Sequence, residues 1–267
     1  MQREGFAMSV AAVQHITSRD NPLLKQLRQL VQHNTAYRRE GRCWVEGEHL
    51  CDAALRRGVR PAVAVYAEAA WPQLPADWRD AATRNVVLPD ALFEGLSALE
   101  SASRMGFVLD LPPDAAPRAG VASVVLDQVQ DAGNVGSILR SAAAFGFGQV
   151  LALKGTAALW SPKVLRAGMG AHFGLHLVES LEVAQIRAAE LPLLATSSHQ
   201  GQWVHSANLP WPCAWVMGHE GQGVRPELLQ QAAQTLRIVQ PGGEESLNVA
   251  AAAAICLHAS AIARSPT

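Results

Sequence analysis

The stretch Pro241-Gly-Gly-Glu-Glu-Ser-Leu-Asn-Val-Ala-Ala-Ala-Ala-Ala-Ile-Cys-Leu-His258 predicts a loop pinned to a buried helix. Its glycine pair permits a sharp, open turn, because glycine adopts backbone angles that other residues avoid. Ser246 stands in the position of a helix N-cap, where a hydroxyl accepts a hydrogen bond from a free backbone N–H. The alanines that follow favour a helix, and their small side chains let neighbouring backbones approach closely. We expect the rest of the fold to be organised around this unit.

The same pairing of an apolar run with a glycine-bearing loop occurs twice upstream. One copy is Asp127-Gln-Val-Gln-Asp-Ala-Gly-Asn-Val-Gly-Ser-Ile-Leu-Arg140, and the other is Val216-Met-Gly-His-Glu-Gly-Gln-Gly-Val224. The first copy directly follows an apolar run that is typical of a strand, and the second begins with the last residues of such a run. Ligands of parallel α/β sheets bind beyond the carboxyl ends of the strands, so three such loops predict one site.

Residues 1–110 are predicted to form a small α/β domain. Asn21-Pro22 precedes leucines at helical spacing, and a second helix is expected from Glu46-Gly47 to Arg57. The predicted strands are Cys43–Val45, Pro61–Tyr66, Asn85–Leu88 and Met105–Leu109. Residues 1–13 show no strong pattern, and Met8 is a second candidate for the start of translation beside Met1. Residues 111–120 contain three prolines and a glycine, which predicts a linker.

Residues 121–267 are predicted to form a second α/β domain with a mostly parallel sheet. The near-continuous apolar run Val121–Leu126 is typical of a strand covered on both faces. Further strands are predicted at Gln149–Leu153, Leu175–Val178, Leu193–Thr196, Ala214–Met217 and Leu236–Val239. Helices are predicted at Val135–Phe145, Pro162–Ala167, Leu181–Ala189 and Pro226–Ala233. Strands that alternate with helices in this way require crossover connections, which favour parallel strands.

The composition indicates a globular protein. Of the 267 residues, 49% are hydrophobic and 17% are charged, and the formal net charge is −1. A nucleic-acid partner would therefore have to be bound by a local basic patch. The cysteines show neither a C-x-x-C pair nor a zinc-ligand spacing, so we expect buried thiols in a reducing compartment; they are Cys43, Cys51, Cys213 and Cys256. The N-terminus lacks an apolar signal-peptide core and polar residues interrupt the alanine-rich run, so we expect a cytoplasmic protein without a membrane span.

Neither of the common nucleotide-binding motifs is present. The loop Gly133-Asn134-Val135-Gly136 does not supply G-x-G-x-x-G, and the chain has no P-loop. A Rossmann-type oxidoreductase is therefore disfavoured. Taken alone, Asn134 stands where an N-cap is expected and Arg140 suits an exposed helix position. His172, His199 and His219 form no triplet that suggests a metal site, so we expect none.

In combination, three motifs resemble those of the SpoU (TrmH) family of RNA 2′-O-ribose methyltransferases. They are Asn134-x-Gly136 with Arg140, then Gly218-x-Glu220-x-x-Gly223, then Ser246-Leu-Asn-Val249. The resemblance covers the chain from about Val121 to its end. More loosely, residues 16–24, 45–48 and 101–104 resemble runs in the N-terminal substrate-binding domain of the family. One departure is that Ile238-Val-Gln240 stands where the family usually has Ile-Pro-Met.

The resemblance implies an architecture and a cofactor. It implies a SPOUT-like sheet whose C-terminal segment forms a trefoil knot, preceded by an L30e-like RNA-binding domain. S-adenosylmethionine is expected in the knotted loops, bound largely through backbone groups; the expected cofactor-binding residues are Gly218, Ile238, Leu247, Met217 and Gly223. A homodimer through the knotted domain is also implied, in which Arg140 of one subunit lies near the cofactor of the other.

The resemblance also implies a reaction, namely methyl transfer to a ribose 2′-hydroxyl. The expected catalytic residues are Arg140, Asn134, Glu220, Ser246 and Asn248. Arg140 is expected to be essential, either as the base or by binding an RNA phosphate, because a guanidinium with a pKa above about 12 is a poor proton acceptor alone. Glu220 is expected to fix the loops or to hold a cationic partner.

Two features concern the RNA. Candidate phosphate contacts are Arg38, Arg39, Arg42, Lys163 and Arg166, although a solvated helix end explains the first three equally well. The two-domain layout favours ribosomal RNA over transfer RNA. The alternatives are a transfer RNA 2′-O-methyltransferase and a non-catalytic RNA-binding protein that keeps the fold.

Overall fold

The computed structural model describes residues 12–97, 103–113, 115–242 and 246–264. Met1 and Met8 lie outside these ranges, as do Ser101 and Ala102 of the run 101–104. The chain forms two compact units, residues 1–111 and 112–267. No helix among the described residues has the length and apolar character that crossing a lipid bilayer requires.

The N-terminal unit contains a five-stranded mixed sheet within the described residues. Its strands are β1 (Ala12–His15), β2 (Arg42–Glu46), β3 (Val63–Ala67), β4 (Arg84–Leu88) and β5 (Met105–Asp110). Its α-helices are α1 (Pro22–Gln32), α2 (Ala36–Glu40), α3 (Glu48–Arg56), α4 (Ala76–Arg79) and α5 (Asp90–Glu94). The strand order is β1-β4-β3-β5-β2, and β5 runs antiparallel to both of its neighbours. Strand β1 was not predicted, and it is a four-residue strand at the edge of the sheet.

The C-terminal unit contains a seven-stranded sheet in which all described pairings are parallel. Its strands are β6 (Ser123–Leu126), β7 (Gln149–Leu153), β8 (His176–Leu181), β9 (Leu193–Thr196), β10 (Gln202–Trp203), β11 (Ala214–Met217) and β12 (Gln234–Arg237). Its α-helices are α6 (Ala132–Ala144), α7 (Pro162–Gly168), α8 (Pro226–Gln231) and α9 (Val249–Ala263). The strand order is β10-β12-β9-β11-β6-β7-β8. The predicted α/β fold with a mostly parallel sheet is confirmed.

Apolar side chains cover both faces of this sheet. Val124 and Leu126 lie in one core cluster with residues of α6 and α9, whereas Val125 lies in a second cluster with Leu228 of α8. Side chains of a strand alternate between the two faces, so a continuous apolar run fills both cores. The predicted helix at Leu181–Ala189 is a 3₁₀ helix over Val183–Ala189. The strand predicted at Leu236–Val239 was placed too late, because β12 pairs with β9 from Gln234 onward.

The last helix returns to the middle of the unit. β12 is separated from β11 by β9, yet α9 packs against α6 and β11. Trp215 on β11 donates a hydrogen bond from Nε1 to Oγ of Ser260 on α9, at 2.8 Å. Helix α9 therefore lies against the centre of the sheet, on the same face as α6.

Two predicted helix caps were wrong. Asn248, not Ser246, is the N-cap of α9, because its Oδ1 accepts hydrogen bonds from the backbone N–H groups of Ala250 and Ala251. Asp131, not Asn134, is the N-cap of α6, and its Oδ1 accepts from the backbone N–H of Asn134 at 2.7 Å. The side chains of Ser246 and Asn134 therefore cap neither helix.

His172 makes the stability of the C-terminal unit sensitive to acid. Its ring is buried, and burial lowers its pKa from 6.5 to about 4. Nε2 donates to the backbone oxygen of Leu159 at 2.9 Å, whereas Nδ1 is buried without a partner among the described residues. The unfolded chain therefore takes up a proton before the folded chain does as the pH falls below 6.5.

We predict that the free energy of unfolding falls as the pH drops from 6.5 towards 4, by at most roughly 3 kcal/mol from this group. Urea denaturation at pH 7 and pH 4.5 measures the loss. The variant His172→Gln cannot titrate at this position, so it should lose less stability over the same interval. Equal losses for the two proteins would contradict the assignment.

Candidate active site

A carboxylate joins two of the three glycine-bearing loops. Glu220 lies in the loop after β11, and its Oε1 and Oε2 accept hydrogen bonds from the backbone N–H groups of Asp131 (3.2 Å) and Gln130 (3.3 Å). Its Oε1 also accepts from Nδ2 of Asn134, at 3.1 Å. The donors lie in the loop after β6 and in the first turn of α6. The N-terminal end of a helix presents unpaired N–H groups and partial positive charge, both of which suit a carboxylate.

Asn134 extends this connection to the third loop. Its Oδ1 accepts a hydrogen bond from Nδ2 of Asn248, at 2.9 Å. Oδ1 of Asn248 caps α9 in turn. Each amide thus donates on one side and accepts on the other. The hydrogen bonds from Asn248 to Asn134 and from Asn134 to Glu220 form a relay that connects all three loops.

The relay also lowers the pKa of the carboxylate. Partial desolvation raises the pKa of Glu220, but hydrogen bonds from the loop backbone and from the Asn134 amide outweigh it and hold the pKa below 4.5. Glu220 therefore remains ionised at neutral pH, as a group that accepts hydrogen bonds only.

A cavity of about 580 Å³ lies beside the relay. Its lining comes from the loop after β11, from the start of α9, and from the segment that leaves β12. Leu236, Ile238 and Gln240 contribute to the lining from β12 and the residues after it. The lining combines apolar side chains with many polar ones, so the cavity could hold a ligand that carries both kinds of group.

The loop after β11 is held in a compact shape. The backbone N–H of His219 donates to the carbonyl of Gly223 (3.0 Å), and the reverse hydrogen bond measures 2.9 Å. A Cβ atom on Gly218 would lie 2.2 Å from the backbone carbon of Gly223. The lack of a side chain at Gly218 is therefore required by the packing of the loop on itself.

An ion pair between a buried carboxylate and a partly exposed arginine anchors the same loop to the sheet. Asp127 is buried directly after β6, and its Oδ1 accepts a hydrogen bond from Nε of Arg225 at 2.6 Å. Its Oδ2 accepts from the backbone N–H of Arg225 at 2.9 Å. A carboxylate is buried at low cost only when its oxygens are paired in this way.

The predicted catalytic residues fall into two groups. Asn134, Glu220 and Asn248 are in contact, whereas Ser246 is exposed and lines the cavity without belonging to the relay. Arg140 is exposed on α6, pairs with no residue in the described part of the chain, and is not among the residues that line the cavity. Its helix position is six residues beyond Asn134, which places it on a different side of α6.

Most of the predicted cofactor-binding residues line the cavity, namely Gly218, Gly223, Ile238 and Leu247. Met217 does not, because its side chain is fully buried in the core between the sheet and α9. Its backbone oxygen accepts a hydrogen bond from the N–H of Asp127. Four of the five predicted cofactor-binding residues are thus placed where they could contact a ligand in the cavity, and the side chain of Met217 is not.

The predicted RNA contacts differ in how their charges are compensated. Arg39 lies 2.8 Å from a carboxylate oxygen of Glu40, and Arg42 pairs with Asp110 at 2.7 Å across the β2–β5 register. Arg38 lies over the ring of Tyr37.

Lys163 and Arg166 lie on α7, exposed and half-buried respectively, and neither pairs with a residue within the described ranges. They are therefore the better candidates for binding phosphate. Across the described residues, no group of three or more His, Cys, Asp or Glu side chains is placed to hold a metal ion.

Two parts of the site were not predicted. Thr196 at the end of β9 and residues 197–200 after it form a fourth part of the cavity lining. The polar run Thr196-Ser-Ser-His-Gln-Gly201 at the end of an apolar strand could have indicated it. The pair Asp127–Arg225 was also missed. Asp127 ends the apolar run of β6, but nothing in the sequence indicates which arginine pairs with it.

Comparisons with known proteins agree on one family. The model of the SpoU rRNA Methylase family matches residues 122–258. The 23S rRNA (guanosine(2553)-2'-O)-methyltransferase RlmP of Bacillus subtilis is 30% identical over 80% of this chain and 86% of its own length.

Two solved structures share the fold. A TrmH-family protein from Porphyromonas gingivalis has a TM-score of 0.77 and 32% identity, over 88% of this chain and 95% of its own. The AdoMet-bound rRNA methyltransferase from Sinorhizobium meliloti has a TM-score of 0.82 over 95% of this chain and 99% of its own, and at 24% identity it indicates the fold alone.

The close contact at Gly218 leads to a testable difference between two glycines of one loop. We predict that Gly218→Ala lowers the free energy of unfolding by roughly 1–3 kcal/mol, because the new methyl group meets backbone atoms that cannot move independently. Gly221→Ala is the matched control, since its nearest neighbours are side-chain atoms at 3.8 Å. Urea denaturation measures both, and a Gly218→Ala protein as stable as the control would contradict the packing described.

Proposed function

The chain belongs to the SpoU rRNA Methylase family, and we propose that it transfers a methyl group from S-adenosylmethionine to a ribose 2′-hydroxyl of ribosomal RNA. The observation that carries this proposal is the relay through Glu220, Asn134 and Asn248, which joins the three family motifs beside one cavity. The named substrate of the Bacillus relative, 23S rRNA, supports ribosomal RNA as the substrate class. The cytoplasm is the compartment that we expect.

The cavity fits the cofactor in its chemistry. S-adenosylmethionine has a flat base with a hydrogen-bonding edge, a ribose, and a charged amino-acid end. Ile238 and Leu247 line the cavity with apolar side chains, and Glu220 and Ser246 line it with polar ones. We propose that Gly218, Gly223, Ile238 and Leu247 hold the cofactor. When bound, it supplies a methyl group activated by a positively charged sulfur.

The contribution of the protein is chiefly to position the reacting groups. Correct positioning can lower a barrier by roughly 7–11 kcal/mol, whereas a general base accelerates reactions by about 10²–10⁴. The relay holds the loops rigidly, and Ser246 and Asn248 place polar groups at the cavity. We propose that Arg140 binds the RNA phosphate beside the reacting hydroxyl or, together with that phosphate, accepts its proton.

The location of Arg140 favours a site shared between two subunits. Arg140 does not line the cavity of its own chain, so a second chain would have to supply it there. Helix α9 exposes Ile255 (40%) and Ile262 (59%), seven residues apart and hence on one face. We propose a homodimer through the C-terminal unit that buries this face and brings Arg140 to the partner's cavity.

We also propose that the segment between β12 and α9 is threaded as a trefoil knot. The return of α9 to β11 and α6 across the sheet supports this threading. The N-terminal unit is proposed to bind RNA. Lys163 and Arg166 are proposed phosphate contacts, because their charges are not compensated by the described residues. Arg38, Arg39 and Arg42 remain weaker candidates.

The proposal is tested by transfer of labelled methyl from S-adenosylmethionine to ribosomal RNA and, separately, to transfer RNA from a host that lacks this protein. Nucleoside analysis should find a 2′-O-methylated nucleoside in the ribosomal pool. A labelled nucleoside in the transfer RNA pool alone would refute the substrate class. Label in neither pool, with cofactor binding confirmed, would refute catalysis on free RNA.

We predict that Arg140→Ala abolishes this transfer while the affinity for S-adenosylmethionine changes by no more than a few-fold, because the side chain serves the acceptor rather than the cofactor. The control is Arg187→Ala, which removes an exposed arginine from the opposite face of the sheet. Transfer rates and calorimetric affinities separate the two effects. Near-normal turnover by Arg140→Ala would show that the role assigned to this residue is wrong.

A further inference from the structure

Trp203 is a large aromatic side chain that the C-terminal unit leaves partly exposed. It is the last residue of β10, the strand at one edge of the seven-stranded sheet, and it is 37% exposed. The guanidinium carbon of Arg237 lies 3.6 Å from the centre of its ring. Trp203 and Arg237 are paired in register across β10 and β12, so their side chains lie on one face of the sheet. The two side chains therefore form a stack at the edge of the sheet.

The ring lies on the outer side of this stack. Nε of Arg237 is buried and has no hydrogen-bond partner among the described residues, whereas the ring of Trp203 is exposed. No carboxylate within the described ranges forms an ion pair with Arg237, so its positive charge is not compensated there. The guanidinium covers one face of the indole, and the accessible surface of the ring lies away from it.

The stack lies beside the cavity. Arg237 ends β12 and is followed directly by Ile238, which lines the cavity. Residues 196–200, which precede β10, line it as well. Neighbouring strands are about 5 Å apart and consecutive Cα atoms about 4 Å apart, so the Cα atom of Trp203 lies within roughly 9 Å of that of Ile238. A polymer that places one unit in the cavity therefore has a neighbouring unit within reach of the ring.

An exposed indole with a cation behind it suits an unpaired nucleobase. Bases of single-stranded RNA stack on aromatic side chains, and every base has a flat face for this contact. The charge of Arg237 also attracts the phosphates of the same strand. An apolar protein surface would instead leave this charge without an opposite one.

We infer that Trp203, with Arg237 behind it, is a stacking platform for an unpaired base of the RNA substrate, near the nucleotide whose ribose enters the cavity. This inference rests on the proposed function, because it takes the cavity to be the site of methyl transfer. It places an RNA contact on β10, an element that carries none of the three family motifs.

Trp211 provides a matched control. It is also 37% exposed, and the guanidinium carbon of Arg264 lies 4.2 Å from the centre of its ring. It precedes β11, however, and so lies at the amino end of a strand whose carboxyl end leads to the cavity. The same pair of side-chain types thus occurs away from the proposed RNA path.

The test measures kcat and KM for ribosomal RNA from a host that lacks this protein. Trp203→Ala should raise KM by about fivefold or more, the loss expected for one stacked base, and leave kcat nearly unchanged. Trp203→Phe keeps a flat ring and should retain most of the affinity for RNA. Trp211→Ala should behave as the wild type does. All variants should bind S-adenosylhomocysteine normally in calorimetry, because neither tryptophan lines the cavity.

Circular dichroism and thermal unfolding confirm that the variants are folded. A wild-type KM in Trp203→Ala, an equal rise in Trp211→Ala, or no recovery in Trp203→Phe would overturn the inference and leave the proposed function intact. A change of oligomeric state in Trp203→Ala, measured by analytical ultracentrifugation, would also overturn it, because a second copy of the chain would then cover the ring. If the wild-type protein transferred no methyl group to RNA, the proposed function would fail, and the inference with it.

Discussion

The hydrogen bonds accepted by the Glu220 carboxylate are the interaction on which the candidate site depends. They connect a loop after β11 to backbone and side-chain groups that lie about ninety residues earlier in the chain. The carboxylate satisfies N–H groups at the start of α6 and places negative charge where the helix dipole favours it. Asn134 in turn accepts from Asn248, the residue that caps α9, so the carboxylate is connected to the start of that helix as well. Loss of the Glu220 side chain would remove the hydrogen bonds that it accepts from the loop after β6 and from Asn134.

The sheet makes this relay possible. β6 and β11 are neighbours, so the loops that leave them emerge side by side, and the ion pair Asp127–Arg225 holds them together. Ile238, Gln240 and residues 246–248, which come from the stretch between β12 and α9, line the cavity together with the loop after β11. The site thus brings together residues from three parts of the chain that are distant in sequence.

The elements were predicted well where a single physical cause decides them. β7, β9 and β11 have the predicted bounds, because each is a short apolar run that the sheet buries completely or nearly so. Caps were predicted less well, since Asp131 and Asn134 are both residue types that cap helices, and in the structure Asp131 caps α6 while Asn134 donates to Glu220. Contacts between residues distant in sequence could not be predicted. No sequence pattern near Asp127 indicates that it pairs with Arg225, and none near Gln240 indicates that it lines a cavity. The roles of the individual site residues remain predictions.

The most direct test of the account is a double-mutant cycle on the affinity for S-adenosylhomocysteine, measured by calorimetry. Glu220→Ala and Asn134→Ala break the same relay, so each should weaken binding by about tenfold or more, and the double variant should be little worse than the more damaging single variant. Additive losses would show that the two side chains act independently. Wild-type affinity in both single variants would contradict the claim that this relay holds the cofactor site together.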